Sequence, residues 1–214
     1  MGNKVAHKNT TRSSSLKSKR KLTMMWKFPM RRFYAYAVDW ALSGLLIGFP
    51  EVLIFALVTH SSDMFSDLYV FSALGYSNMF AYICCILSLM VFIVYYIAIP
   101  WKIWPGQTPG KKLFKLQCET SLGNKVELKQ LVIRAIPGLL LIEGVSTITT
   151  RYIIQALTLV SGFYIESYVF IAMYLLTMVS AVMVVITKNH LAIHDYLAGT
   201  RVVEIEDFDQ ANSR

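Results

Sequence analysis

Residues Tyr76–Pro100, YSNMFAYICCILSLMVFIVYYIAIP, carry no charged side chain and run into Trp101, Lys102 and Trp104. A helix of that length rises about 37 Å, enough to cross a hydrocarbon core of about 30 Å. Tryptophan and lysine at its end form an aromatic and basic anchor at a membrane–water interface. The rest of the chain agrees with this stretch. Of 214 residues, 55% are hydrophobic and 16% charged, against the roughly quarter that a soluble surface needs. The apolar residues come in runs and the basic ones cluster between them, which excludes a soluble enzyme and a disordered chain.

Working outward, a first span is expected from about Phe33 to Ala56 and a last one from Ser167 to Thr187. Residues 131–166 are apolar but broken by Arg134, Pro137, Glu143 and Arg151. The flanks decide their reading. Lys and Arg crowd the N-terminal flank, the 102–130 connector and the segment after 187, whereas the 59–75 loop has Asp63 and Asp67 and no basic residue. The positive-inside rule then puts both termini and the connector in the cytoplasm. Parity demands one more crossing, placed at about 133–152, with Tyr152–Ile165 as an interfacial or outer segment. Three spans plus a re-entrant piece is the rival arrangement.

Residues 1–23 are polar, basic and free of acids, and read as an unstructured tail. Next to a span, Lys17, Lys19, Arg20 and Lys21 suit anionic lipid headgroups better than nucleic acid. No secretory signal is visible, and Ala6 replaces the hydroxyl residue of a myristoylation site. Cys84, Cys85 and Cys118 make no disulfide framework. In the connector, KLFKLQCE and KVEL flank a Leu-Gly-Asn turn and read as a short β-hairpin. The fold expected is therefore an all-α polytopic membrane protein of about four transmembrane helices, with a short cytoplasmic β-hairpin between the second and third. Its parts are a basic tail (1–28), a transmembrane domain (29–203) and an acidic tail (204–214).

With so few charges, those inside the apolar segments stand out. Arg32 and Asp39 are seven residues apart, hence on one helix face and roughly 10 Å apart along its axis. Asp39 lies two turns into the span, where an acid costs about 2.5–3.5 kcal/mol without a partner or a wet cavity. It reads either as a packing pair with Arg32 or as a protonatable, cation-binding carboxylate. Glu51, near the outer end of the same span, is expected to reach headgroups or water. Arg134 and Arg151 can snorkel to opposite interfaces; Glu143, between them, cannot, and is a second candidate. His190 and His194 have the i,i+4 spacing of a zinc helix, but Leu191 stands where the general base of H-E-x-x-H would be, so no metal is assigned. GQTPGKK (106–112) lacks the spacing of a phosphate loop and reads as a rigid turn.

Three stretches together resemble the RDD family of small membrane proteins. Arg32-Phe33-Tyr34-Ala35-Tyr36-Ala37-Val38-Asp39 is similar to its R-x-x-A-x-x-x-D opening. Gly106-Gln107-Thr108-Pro109-Gly110-Lys111 is similar to its G-x-T-P-G-K connector, and His194-Asp195-Tyr196-Leu197-Ala198-Gly199-Thr200, followed by Arg201, to its closing H-D-x-x-A-G-T. The likeness runs over roughly residues 29–203, with departures between 140 and 170. It implies that Arg32, Asp39 and Asp195 are the arginine and two aspartates that name the family, and that transport, including cation/proton antiport, is a candidate activity.

Two functions follow as expectations. One is a small transporter or transport accessory, with Asp39 exchanging a proton or cation and Arg32 tuning it. The other is a non-transporting scaffold, assembly or protective protein whose Arg and Asp residues are structural. The polar network expected is Arg32, Asp39, Asp195, Arg201 and Glu143, with Gly106, Thr108, Pro109, Gly110 and Lys111 as the turn. No enzyme activity, cofactor or nucleic-acid partner is expected. The expected surroundings are the cell membrane, its anionic lipids and further copies of the chain.

Overall fold

The computed structural model describes residues 3–61, 67–144, 147–187 and 190–205, with side chains from residue 28 onward. Helix α1 spans Asn3–Thr59, and its backbone takes in the basic segment for which composition predicts an unstructured tail. The side chains of that segment, and most of the acidic tail 204–214, lie outside the described residues. A one-turn helix α2 (Tyr69–Ala73) leads into α3, Met79–Ile93, which continues as wider-wound π-helix through Val94–Ile103. Short α4 (Pro109–Leu113) and strand β1 (Leu116–Thr120) follow. Helix α5, Leu128–Ile133, continues as π-helix Arg134–Ile142; α6 spans Ile148–Ser161 and α7 Glu166–Ile186. Helix α8 (Ile193–Ala198) and strand β2 (Thr200–Glu204) close the fold.

Among the described residues, three stretches are long and apolar enough to cross a membrane: Phe28–Thr59, Met79–Ile103 and Glu166–Ile186. On α7, Ile171, Leu175, Met178, Val182 and Ile186 are all exposed at helical spacing, a surface suited to lipid tails. Both π-helical stretches contain a proline, Pro100 and Pro137. Proline has no N–H and its ring crowds the carbonyl four residues back, so the chain widens its winding. The Trp104 and Glu143 N–H groups accordingly reach carbonyls five residues back, those of Ile99 and Gly138.

Residues 131–166 do not form the single helix expected near 133–152. The chain breaks after Ile142 and restarts at Ile148. Within Tyr152–Ile165, Tyr152, Ile154 and Gln155 are buried and Tyr152 packs in a cluster with Phe55, Phe71 and Cys84, whereas Val160, Phe163 and Tyr164 are exposed. A second cluster at the other end joins Ile47, Phe92 and Ile97 to Leu131, Ala135 and Leu140. Helices α5 and α6 therefore succeed one another along the bundle. Gly162, at φ 73°, ends α6 in the left-handed region that glycine enters freely.

The expected hairpin is corrected. β1 pairs antiparallel with β2, from Leu116 opposite Glu204 to Thr120 opposite Thr200. The KVEL arm contributes only an isolated bridge, Lys125 with Glu119. Alternation in β1 is real, with Leu116, Cys118 and Thr120 buried, but the partner strand comes from the end of the chain. Leu116 and Val202 close over Ala35 of α1. The ribbon thus clamps the end of the bundle where the polar residues lie.

Candidate functional site

Asp39 is 5% exposed on the inner face of α1. Its carboxylate accepts hydrogen bonds from the Tyr95 hydroxyl at 2.8 Å, the Gly110 backbone N–H at 2.8 Å, and the Thr108 hydroxyl. The connector motif supplies each feature needed. Thr108 is the N-cap of α4 and Pro109 opens it, where the missing N–H costs nothing. Gly110 lies so close to α1 that a Cβ there would sit 2.2 Å from the Ala35 carbonyl oxygen. Gly106, at φ 73°, lies against β1, where a Cβ would meet the Cys118 carbonyl oxygen at 2.4 Å. The first two motifs are therefore two sides of one contact.

Asp195 is fully buried between two guanidinium groups. Arg32 reaches it at 2.6 Å, and Arg134 forms a second ion pair with it. The Ala192 N–H adds a hydrogen bond at 3.1 Å, capping α8. Burial alone raises the acid's pKa, but the guanidinium groups of Arg134 and Arg32 outweigh it and hold the carboxyl well below the usual carboxylate range. Arg32 also donates to the His190 carbonyl. Arg134 is 6% exposed and donates to Thr200 Oγ1 at 3.0 Å and Cys118 Sγ at 3.3 Å.

A third group extends the chain of contacts inward. Arg134 Nη2 lies 2.9 Å from His194 Nε2, and His194 Nδ1 lies 2.8 Å from Glu143 Oε2. Guanidinium can only donate, so Nε2 accepts and the ring proton sits on Nδ1, facing Glu143. Glu143 also accepts from Ser180 Oγ at 2.6 Å and the His194 N–H at 3.2 Å. It occupies the break between α5 and α6 and ties that break to α7 and α8. Close packing of α8 requires Gly138, whose Cβ would lie 2.5 Å from that of His194.

The expected network is thus rearranged. Arg32 and Asp39 share a face of α1 but not a bond, because about two turns separate them and each finds a nearer partner. Arg134 does not snorkel; it is held inside by Asp195. Arg201 is outside the network, on the outward side of β2, with its side chain 46% exposed and 3.8 Å from Glu119. Arg151 does lie at the opposite end of the bundle, 3.5 Å from Glu166. Glu51 is not at a surface at all; it is fully buried. The two histidines turn to different partners, His190 Nδ1 meeting the Val184 carbonyl at 2.7 Å. Among the described residues, no group of three His, Cys, Asp or Glu side chains could hold a metal. Tyr95 and Ser180 gave no sign in the sequence, since each is an ordinary member of an apolar run.

Between the two carboxylate centres lies a cavity of about 80 Å³, lined by Arg32, Asp39, Tyr96, Lys111, Arg134 and His194 among others. Burial and the nearby Arg134 push the Lys111 ammonium below its ordinary value. The pocket presents the basic side chains of Arg32, Lys111, Arg134 and His194 and the single carboxylate of Asp39. Nothing among curated proteins or solved structures matches the chain. The RDD family model matches residues 27–199, taking in the first two motifs and the third as far as Gly199. On that match, which covers most of its length, the chain belongs to the RDD family.

Proposed function

We propose that the chain is a small transporter or transport accessory of the cell membrane, coupled to cations or protons through Asp39. The observation that carries this reading is the cavity. Asp39 lies on a helix apolar and long enough to span a bilayer, yet its surroundings are polar and include an ionisable lysine. Intramembrane carboxylates facing a polar cavity mark ion and proton pathways. The reading takes α5 and α6 as one discontinuous crossing, the third of four in chain order, with both termini cytoplasmic. Its support is that Arg134 meets Asp195 at one end while Gln155 meets Leu68 and Glu166 at the other. Broken helices of this kind occur at the ion sites of transporters. The basic N-terminal segment then rests on anionic headgroups, and copies of the chain associate to complete a path. No enzymatic or nucleic-acid role enters this reading. Dissipation of a pH gradient in inverted vesicles, compared between wild type and Asp39→Asn, tests it. A slower response in the variant is expected; identical traces end the proton-coupling idea.

A second reading, a non-transporting scaffold or protective protein, is favoured by the saturation of Asp195, whose ion pairs lock three distant segments together. It predicts that Asp39→Asn lowers the detergent-resistant amount of folded protein rather than a flux.

A further inference from the structure

On α1, Ala35, Asp39, Ser43, Ile47, Glu51 and Phe55 recur every four residues and are all buried, forming the inward stripe of the helix. Glu51 differs from the other polar members. Asp39 has three donors and Ser43 lies 3.0 Å from the Tyr96 hydroxyl. Glu51 is 0% exposed, and neither of its carboxylate oxygens has a hydrogen-bond partner among the described residues. It stands twelve residues beyond Asp39, about 18 Å further along the span. The titratable groups facing it are Cys84 and Cys85 of α3 and Tyr152 of α6; Arg151, on α6, is engaged by Glu166. No cation lies close enough to be its counter-ion among the described residues.

An ionised carboxylate without a counter-ion or a hydrogen-bond donor is among the most costly groups to bury, and such a group takes up a proton instead. We infer that Glu51 is a proton-binding site in the half of the membrane opposite the Asp39 cavity, and that it is a neutral carboxylic acid whenever α1 packs against α3 and α6 as here. The ligand is a single proton, bound on a carboxylate oxygen. Its release exposes a bare negative charge to Cys84 and Tyr152, so it requires that packing to loosen and admit water or a cation. Glu51 is therefore coupled to the α1–α3–α6 contact, whereas Asp39 is coupled to the connector. This holds whether or not the protein transports anything.

The test is modification of the full chain, in lipid nanodiscs at neutral pH, by a hydrophobic carbodiimide, which adds to protonated carboxyls sheltered from water. Peptide mass mapping is expected to place the adduct on Glu51, leaving Asp39, Glu143 and Asp195 unmodified. Glu51→Gln, which keeps the neutral shape, is expected to fold to the wild-type amount and lose the adduct. Above the pH of half-labelling, the rate is expected to fall about tenfold per pH unit. Absence of an adduct on Glu51 in a well-folded wild type would overturn the inference. A fold-deficient Glu51→Gln leaves the decision to the wild-type infrared spectrum with isotope-labelled glutamate. A protonated-carboxyl stretch at neutral pH supports the site, and its absence refutes it. Failure of the Asp39 flux assay leaves these readouts unchanged, so the two readings fail separately.

Discussion

The Gly110 backbone N–H donates to the Asp39 carboxylate at 2.8 Å, joining a connector loop to a residue two turns inside a membrane helix. That bond exists because residue 110 has no side chain. A Cβ would come within 2.2 Å of the Ala35 carbonyl oxygen and 2.8 Å of the Asp39 Cγ.

Gly110→Ala is therefore expected to push α4 off α1. Overpacking a tight contact costs about 1–3 kcal/mol, and the displaced donor adds to it. Thermal unfolding in detergent should show a lowered midpoint, and Gly44→Ala, with its nearest non-local atom at 3.8 Å, should show little change. Equal effects at the two glycines would mean that the Asp39 contact is not the cause.

Arg134 and Asp195 are both buried, so removing either one leaves a charge with too few partners. Asp195→Asn is expected to cost about 3–5 kcal/mol, as for breaking a buried pair. A double-mutant cycle with Arg134→Met should recover part of that loss, because both charges then leave together. Strict additivity would contradict the pairing.

Arg201 provides the contrast. Its side chain is half exposed and its partner Glu119 is 3.8 Å away. An exposed pair of this kind is worth about 0–1 kcal/mol. Arg201→Ala should leave the unfolding midpoint nearly unchanged while Arg32→Ala lowers it, although the sequence leads one to expect both in a single polar network.

Lys111 gives a pH dependence of defined sign. Its folded-state value lies below the ordinary 10.5, so between the two values the unfolded chain holds more protons than the folded one. Stability should therefore rise with pH across that alkaline window. Lys111→Gln should flatten the rise in a series of unfolding midpoints. Asp195 behaves oppositely: with its carboxyl held below the ordinary 3.8, its contribution is complete above that value and is lost only under stronger acid.

The spans at Phe28–Thr59, Met79–Ile103 and Glu166–Ile186 were legible because burial in lipid demands an uninterrupted apolar run, which is a local property. The turn at 106–112 was legible for a similar reason, since proline and glycine restrict their own backbone. The partner of β1 was not. Alternation at Leu116, Cys118 and Thr120 reports which face is buried, and the nearer KVEL segment alternates as well as Thr200–Glu204 does. Arg134 was misread because a long side chain near a helix end can snorkel or turn inward, and only Asp195 decides which.

By itself, then, the sequence determined that this is a membrane protein, where its apolar spans lie, and which charged residues are out of place in them. Tertiary structure decided the pairings: Arg32 with Asp195 rather than Asp39, Glu143 with His194, and Glu51 with no hydrogen-bond partner among the described residues. The physical reason is the range of the interactions. Transfer of a segment from water to lipid is summed residue by residue along the chain, whereas a buried charge is stabilised only by groups within a few ångströms, and here those come from segments up to 163 residues away.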